Sequence, residues 1–277
     1  EAHILYIDSP VGCGYSYSLA EDEDQRYAHD ECQVSKGLYD TLQYFLHKHP
    51  EYRRCKLYIT GESYAGKYVT FFAKRILDEN DKIRENNPEA RSCFPTPYPI
   101  NLHGIFMNDG WFAPVRQAKV RLRYAYAYAM GIVDKNQHDI LMKDWDHLKN
   151  LVDEGQWLEA YHANQQFKKD ILDCGGDPME YDVRTFTDNT PIAQMDSYFN
   201  MDSVKEALHV PSSVSWLCTD EVGPVTEHLV KDYMSDTAYL IPELLDRPVD
   251  TDCGHLRMVI YTGNFDYSCG FMGSIIE

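Results

Sequence analysis

The sequence lacks any long apolar run and any excess of positive charge. Its most apolar long stretch, residues 124–133, has ten residues, about half of the ~20 that a bilayer-spanning helix needs. Among 277 residues, 26 Lys and Arg stand against 44 Asp and Glu, so the formal net charge is −18. A polyanion of this strength is repelled by phosphate backbones and by acidic lipid. We therefore expect neither a nucleic acid nor a membrane as a partner.

The closely spaced cysteine pairs of zinc sites and redox motifs are also missing. The eight cysteines are widely separated: Cys13, Cys32, Cys55, Cys93, Cys174, Cys218, Cys253 and Cys269. These gaps argue against a structural zinc site, and we expect no metal. The count permits several disulfides in a secreted or lysosomal protein, but buried reduced thiols fit it nearly as well. No Asn-x-Ser/Thr acceptor is present, so glycosylation gives no separate support for secretion.

The two ends of the chain carry no leader or stop pattern. The sequence starts without Met and without a basic or apolar leader, and an apolar run begins almost at once. At the other end, residues 274–277 follow a Gly-rich turn and carry no helix stop signal. We expect a chain that is cut from a longer protein at both ends.

Short apolar runs predict a sheet. Residues 4–7, 57–60 and 258–262 are β-rich, each followed by a turn with Gly or Pro, and residues 102–107 form a weaker fourth candidate. Between the first two runs, apolar residues recur at helical spacing over residues 30–49. Strand, helix and strand in this order predict a parallel α/β sheet with helices packed on its faces.

The composition and the apolar pattern of the sequence change after residue 116. Residues 117–175 have no strand-like run and predict several helices, one of them over residues 134–152, whereas residues 176–200 have the composition of a loop. With 44% hydrophobic residues, the chain can bury a large core. We divide it into 1–116, the first part of the core; 117–200, a helical cap; and 201–277, the rest of the core.

The strongest chemical signal is Tyr-Ile-Thr-Gly-Glu-Ser-Tyr-Ala-Gly at residues 58–66, where an apolar strand enters a turn of small residues. This context is typical of a nucleophile elbow, Gly-x-Ser-x-Gly, in which Ala65 takes the second glycine position. Such a turn would expose the hydroxyl of Ser63 and would let the N–H of Tyr64 bind an oxyanion. The alternative is a tight turn with a bystander serine.

A nucleophilic serine needs an acid and a histidine, which follow it in this order in elbow enzymes. Asp266, in the loop after residues 258–262, is the candidate acid, and an ordinary turn aspartate is the alternative. No histidine follows Asp266, and the last one, His255, precedes it and reads as a surface or strand-entry residue. The catalytic set on this chain is therefore incomplete.

Seven motifs occur in an order that belongs to one known family. They are Ile-Asp-Ser-Pro-Val-Gly-Cys-Gly-Tyr-Ser-Tyr-Ser at 7–18, Pro-Glu-Tyr at 50–52, the elbow at 58–68, Asn-Leu-His-Gly-Ile at 101–105, 198–208, Trp-Leu-Cys at 216–218 and Gly-Asn-Phe-Asp-Tyr-Ser-Cys at 263–269. Together they resemble the serine carboxypeptidase family, of the carboxypeptidase Y and cathepsin A type. The resemblance implies an α/β-hydrolase-like, mainly parallel sheet with a helical cap insert.

The resemblance also implies roles for single residues. Ser63 resembles the family nucleophile, Asp266 the triad acid, and the N–H of Tyr64 one oxyanion donor. Glu62 resembles the glutamate that, with a second carboxyl group, holds the C-terminal carboxylate of the substrate; an exposed turn glutamate is the alternative. Cys269 resembles a free thiol beside the substrate pocket, although a packed core cysteine would serve equally well.

For the whole protein, the resemblance implies a serine-type carboxypeptidase that acts on peptides without a cofactor or metal. Two carboxyl groups that share a proton would favour acidic pH and a lysosomal, vacuolar or secreted location. The family histidine would lie beyond residue 277 and a Gly-Gly-Pro-Gly-Cys segment upstream, so we expect the chain alone to be inactive. Lys67 stands where the family commonly has His.

Other functions and the assembly stay open. A catalytically inactive relative that binds or stabilises another protein fits the scaffold, as does an esterase or acyltransferase, because a fold does not settle the substrate. The sequence leaves the formation of a homodimer open.

Overall fold

The computed structural model describes residues 2–87, 97–118, 120–187, 191–218, 223–251 and 253–274. Cys93 and residues 275–277 lie outside this range. The described residues form three strands, β1 (Leu57–Glu62), β2 (Leu102–Asn108) and β3 (Arg257–Tyr261). The helices among them are α1 (Glu31–Lys48), α2 (Ala65–Arg84), α3 (Pro114–Gln117), α4 (Val120–Ala129), α5 (His138–Asp153), α6 (Trp157–Cys174), α7 (Ile192–Phe199), α8 (Asp202–Ala207), α9 (Pro224–Tyr233), α10 (Leu240–Asp246) and α11 (Phe271–Ser274).

The three strands form one parallel sheet in the order β1-β2-β3. Glu62 lies opposite Asn108, and Asn108 lies opposite Tyr261, so the carboxyl ends of all three strands coincide. Parallel neighbours need a crossover, and α2 provides the one between β1 and β2. The α/β sheet predicted from the apolar runs at 57–60, 102–107 and 258–262 is confirmed.

The strand predicted at residues 4–7 is wrong. This segment is not a strand, and Ile4 and Tyr6 are 72% and 87% exposed. An apolar run becomes a strand only when another strand hydrogen-bonds to its backbone, and no described residue does so here. The chain is instead fixed just beyond it, where Asp8 accepts hydrogen bonds from the N–H of Tyr15 and the hydroxyl of Ser16.

Helices α1 and α2 cover one face of the sheet. The side chain of Asp30 caps α1 by accepting a hydrogen bond from the N–H of Gln33 at 2.8 Å, and α1 ends before Pro50, which cannot continue a helix. Helix α2 packs against β1 and β2, and α1 packs against α2. Their apolar side chains share one core cluster with β2, which includes Leu42, Leu46, Val69, Phe72, Ile76, Ile105 and Met107. Burial of each such side chain contributes about 1.5–3 kcal/mol.

A second core cluster joins α4, α5 and α6 to Trp111, Met234 and Tyr267. The helix predicted over 134–152 is confirmed as α5, preceded by a 3₁₀ turn. The loop predicted over 176–200 is wrong in part because it contains α7, of which no residue is buried. Ile192, Met195 and Phe199 do recur at helical spacing in α7, but the helix has only eight residues, which is a short window for this pattern.

No helix among the described residues has both the length and the apolar content needed to cross a bilayer. The division into 1–116, 117–200 and 201–277 stays a prediction.

Candidate active site

Ser63 occupies a constrained corner between β1 and α2. Its φ is +56°, a left-handed conformation that is uncommon for a residue with a side chain. The backbone is held from both sides: its N–H donates to the carbonyl of Asn108 at 3.0 Å, and its carbonyl accepts from Gly66 at 2.9 Å and from Trp111 at 2.7 Å. The side chain is exposed. The corner therefore presents the hydroxyl at the carboxyl edge of the sheet.

Two glycines allow this corner to close. A Cβ at Gly61 would lie 2.7 Å from the Cβ of Ala65, and a Cβ at Gly66 would lie 2.8 Å from the backbone nitrogen of Trp111. Real Cβ atoms do not approach so closely, and the second contact is with backbone that cannot move aside. The small residues around Ser63 are thus a packing requirement of the turn.

Asp109 connects the elbow to the loop that carries Asp266. It follows Asn108, whose carbonyl accepts from Ser63. Its N–H donates to the carbonyl of Tyr261 at 2.9 Å, and its Oδ1 accepts from the N–H of Gly263 at 2.7 Å. The structure therefore brings the loops of Ser63 and Asp266 to the same sheet edge, with the end of β2 between them. The sequence analysis did not select Asp109, although it follows an apolar strand directly.

The carboxyl group of Asp266 is buried at 8% exposure, and its Oδ1 accepts a hydrogen bond from the N–H of Cys269 at 2.8 Å. Loss of solvation raises its pKa to about 7, and the charges of Asp109 and Glu180 act in the same direction. The backbone N–H groups of Cys269 and Ser268 lower it. An imidazolium beside this carboxyl group would favour its ionised form, because an opposite charge stabilises a carboxylate.

Tyr64 is anchored through its ring. The ring stacks on Tyr233, with the centroids 5.6 Å apart, and packs edge to face against Tyr68. Among the residues that the structure describes, no acceptor takes the backbone N–H of Tyr64. This donor is therefore available for an oxyanion at Ser63, as an elbow requires.

A polar cluster of the buried Glu31 and Lys67 with the half-buried Asp232 and Ser235 lies next to the elbow. The ammonium group of Lys67 donates to the carbonyl of Asp232 and to the carbonyl and hydroxyl oxygens of Ser235, the last two at 2.7 and 3.1 Å. The N–H of Glu31 donates to Oδ2 of Asp232 at 2.9 Å. Lys67 is fully buried and Glu31 is 1% exposed.

The carboxyl group of Glu31 is the uncompensated member of this cluster. Among the described residues, neither of its oxygens has a partner at hydrogen-bond distance. Burial, followed by the charge of Asp232, raises its pKa to about 8, while Lys67 and, slightly, the nearby hydroxyl of Tyr64 act in the opposite direction. The sequence analysis noted Lys67 only as a departure from the family and missed Glu31, since a charged residue in the first turn of a helix is normally exposed.

Glu62 and Cys269 have contrasting surroundings. Glu62 is the exposed last residue of β1, next to Ser63, and this position fits both of its predicted alternatives. Cys269 is a free thiol at 5% exposure within the second core cluster, where burial raises its pKa to about 12. Cys269 is therefore a packed core cysteine, one of the two alternatives of the sequence, and its N–H also bonds the candidate acid; a role beside a substrate pocket stays a prediction.

His255 lies at the opposite end of β3 from Asp266. It forms an isolated antiparallel bridge with Pro248 just before the strand begins. Asp266 comes after the carboxyl end of the same strand, so His255 is separated from it by the length of β3. His255 is therefore not placed to pair with that carboxyl group.

Comparison with known proteins matches residues 1–275 to the model of the serine carboxypeptidase family. The probable serine carboxypeptidase CPVL of Dictyostelium discoideum is 30% identical over 279 residues, which cover 98% of this chain and 49% of that protein. Serine carboxypeptidase 3 of Hordeum vulgare is 28% identical over 282 residues, 99% of this chain and 50% of that protein. The chain spans about half the length of these relatives.

A solved structure shares the fold. It is that of Kex1(Δ)p, a prohormone-processing carboxypeptidase from Saccharomyces cerevisiae, with a TM-score of 0.73 and 22% sequence identity. The similarity covers 97% of this chain and 57% of that one, and it supports the α/β-hydrolase-like fold. With the strained serine corner and a family match over almost its whole length, the chain belongs to the serine carboxypeptidase family.

Proposed function

We propose that the whole protein is a serine carboxypeptidase that releases C-terminal residues from peptides through an acyl-enzyme. One observation carries this proposal: Ser63 is held in a left-handed corner at the sheet edge to which Asp109 ties the Asp266 loop. This arrangement gives an exposed hydroxyl and a buried carboxyl group on neighbouring loops, which is what acyl transfer by a serine requires.

In the proposed reaction, Oγ of Ser63 attacks the carbonyl carbon of the last peptide bond while an imidazole takes its proton. The N–H of Tyr64 donates to the oxyanion, and the imidazolium returns the proton to the leaving amine. Water then hydrolyses the ester with the same imidazole as base, which frees Ser63. Asp266 orients the imidazole and stabilises its charged form.

The imidazole is the part that this sequence does not supply in the expected order, because no histidine follows Asp266. We propose that it comes from sequence outside these 277 residues. The isolated chain should then hydrolyse peptides at a small fraction of the rate of the whole protein, because loss of one triad member costs orders of magnitude in rate.

Glu62 gives the proposed preference for a free C-terminus. It is exposed beside Ser63, where a carboxyl group that shares a proton with a second one could hydrogen-bond the substrate carboxylate. Without the shared proton, the negative charges of the two groups would repel the substrate carboxylate. The proposed activity is therefore highest in acid, which fits a lysosomal, vacuolar or secreted protein.

The test compares two substrates with the whole protein: a blocked dipeptide with a free C-terminal carboxylate, and the same dipeptide as its amide. We expect release of the last residue at pH 5 from the free acid, faster than from the amide by about tenfold or more, the worth of a charged hydrogen bond. Ser63→Ala should abolish it, and Glu62→Gln should reduce the preference for the free acid. Equal cleavage of both substrates would contradict the exopeptidase role.

The same assay separates the alternatives. Hydrolysis of a small ester without peptide cleavage would favour an esterase or acyltransferase, since both use the same serine chemistry. No turnover of either substrate, together with no reaction of Ser63 with a fluorophosphonate, would favour a catalytically inactive relative that binds another protein.

A further inference from the structure

A histidine pair and a carboxylate meet where the 24–29 loop lies against α9. His29 precedes α1, His228 lies on α9, and Asp24 lies in the loop before His29. One ligand atom from each of these side chains lies within 4.8 Å of the other two. We propose that Asp24, His29 and His228 bind one divalent transition-metal ion of the zinc type, a site distinct from the proposed peptidase chemistry.

The donor set selects the class of ion. Two imidazoles and one carboxylate suit Zn²⁺, Co²⁺ or Ni²⁺, whereas Ca²⁺ and Mg²⁺ favour oxygen ligands throughout. Three protein ligands leave the fourth tetrahedral position to water. The distance from Nε2 of His29 to Oδ1 of Asp24 is 3.7 Å, and the two imidazole centroids are 5.0 Å apart. Ligand atoms bound to one ion lie somewhat closer together than this, and the 82% exposed side chain of Asp24 has room to rotate toward the two rings.

One ring nitrogen of His228 is held by the backbone of its own helix. Its Nδ1 lies 2.6 Å from the carbonyl oxygen of Pro224. A carbonyl only accepts hydrogen bonds, so Nδ1 carries the proton and the lone pair is on Nε2. A second hydrogen bond of this kind fixes the tautomer and ring of most metal-bound histidines. The ring of Tyr27, with its centroid 5.0 Å away, packs beside His228 and further limits its rotation.

The structure also fixes the position of His29. Its backbone N–H donates to Oε1 of Gln33 at 3.0 Å, one turn into α1. Its Nε2 lies 2.9 Å from the carbonyl oxygen of Asp24, besides the carboxylate of the same residue. Both oxygens only accept hydrogen bonds, so Nε2 carries the ring proton in this structure; a cation bound at Nε2 would displace it, and the single proton of the neutral imidazole would then be on Nδ1.

The ion would clamp the 24–29 loop to α9, and α9 supports the elbow from behind. Asp232, one turn after His228, accepts the N–H of Glu31, and Tyr233 carries the ring on which Tyr64 stacks. An ion that binds the folded chain but not the unfolded chain stabilises the folded state by mass action. The wide spacing of the cysteines excludes only a site made of closely spaced cysteines. It gives no information about two histidines that lie far apart in the sequence and meet only in the fold.

Titration with Co²⁺ alone tests the site, because its visible absorption reports the ligands. The samples are the whole protein with alkylated thiols, the variants Asp24→Asn, His29→Gln and His228→Gln, and the control His162→Gln, an exposed histidine on α6. We expect one Co²⁺ per chain for the parent and the control, displaceable by Zn²⁺. Affinity should fall by about tenfold or more in each of the three variants. Zn²⁺ should raise the melting temperature of the parent and the control only.

Three results would overturn the proposal. They are no saturable Co²⁺ binding by the parent, Co²⁺ binding by folded His29→Gln and His228→Gln that is as tight as in the parent, or a thiolate-to-cobalt absorption band in unalkylated protein that accounts for all of the binding. Melting curves without metal show which variants fold, and any one folded variant suffices for the comparison. Peptidase activity is not used, so the outcome does not depend on the proposed function.

Discussion

At the scale of single residues, Ser63 combines an exposed hydroxyl with a strained backbone. The left-handed φ of +56° is maintained by hydrogen bonds from Gly66 and Trp111 to its carbonyl and by its own bond to Asn108. Such conformations cost a residue with a side chain about 1–3 kcal/mol and persist only where the surroundings enforce them. This strained conformation lowers the stability of the fold, so stability does not explain why the exposed Ser63 adopts it.

This strain can be measured by substitution. Glycine adopts positive φ without penalty, whereas alanine keeps the Cβ, so Ser63→Gly should be more stable than Ser63→Ala by about 1 kcal/mol. Urea unfolding of the two variants gives the difference. A matched pair at Ser197, on the exposed face of α7, should show the reverse order, because glycine weakens a helix interior. If Ser63→Gly were the less stable of its pair, the corner would not be strained.

At the scale of elements, the sequence predicted what depends on neighbours in the chain. Short apolar runs followed by turns predict the strands β1, β2 and β3. Apolar residues at helical spacing, with Pro50 after them, predict helix α1. Residues 4–7 have an equally apolar pattern, but a strand also needs a partner, which no local pattern contains.

The residues of the candidate site also divide into those that a local sequence pattern marks and those that only the fold brings together. Ser63 and Asp266 were found because a turn motif and a strand end mark them locally. Asp109 was missed because its role is to bridge two loops that only the sheet brings together. Glu31 and Lys67 were missed because their meeting depends on how α1, α2 and α9 pack. The pair His29 and His228 was missed for the same reason.

Substitution of Lys67 tests how much the polar cluster between α1, α2 and α9 contributes to the stability of the fold. The ammonium group of Lys67 is the cation that faces the carboxyl groups of Glu31 and Asp232. Lys67→Met keeps the length but removes the charge and the donor, and the carbonyl groups of Asp232 and Ser235 cost about 1–3 kcal/mol each when they are left unpaired. Urea unfolding should show this loss, and Glu31→Gln in the same chain should restore part of it.

A surface lysine provides the control. Lys36 pairs with Asp40 at 2.7 Å on exposed α1, and its side chain is 66% exposed. Lys36→Met should leave the unfolding midpoint almost unchanged, because exposed ion pairs contribute little. An equally small effect of Lys67→Met would show that the buried ammonium group does not compensate its neighbours.

At the scale of the whole molecule, acid should stabilise this chain. Glu31 and Asp266 have pKa values raised to about 8 and about 7 by burial, from 4.5 and 3.8. A carboxyl group with a raised folded pKa binds protons more tightly when folded, so its contribution is lost as pH rises from the unfolded to the folded pKa. The net charge of −18 adds self-repulsion in the same direction.

The free energy of unfolding should therefore fall by about 3 kcal/mol or more between pH 5 and pH 8. Two variants test this dependence of the free energy of unfolding on pH: Glu31→Gln, and Asp266→Asn, which keeps an oxygen for the N–H of Cys269. Each variant should be more stable than the parent at pH 8 but not at pH 5, so its free energy of unfolding should change less with pH. Urea unfolding at both pH values gives the four comparisons. Stability that rises toward pH 8 in the parent would contradict the raised pKa values.

The central claim is that Ser63 and Asp266 act on one site. The most direct measurement is the rate at which a fluorophosphonate labels Ser63 in the whole protein at pH 5, with the labelled residue identified by mass spectrometry. The account predicts labelling at Ser63 that slows by about 10³–10⁴-fold in Asp266→Asn and is unchanged in Asp246→Asn, an exposed aspartate at the end of α10. Labelling of Ser63 at the same rate in all three proteins would contradict it.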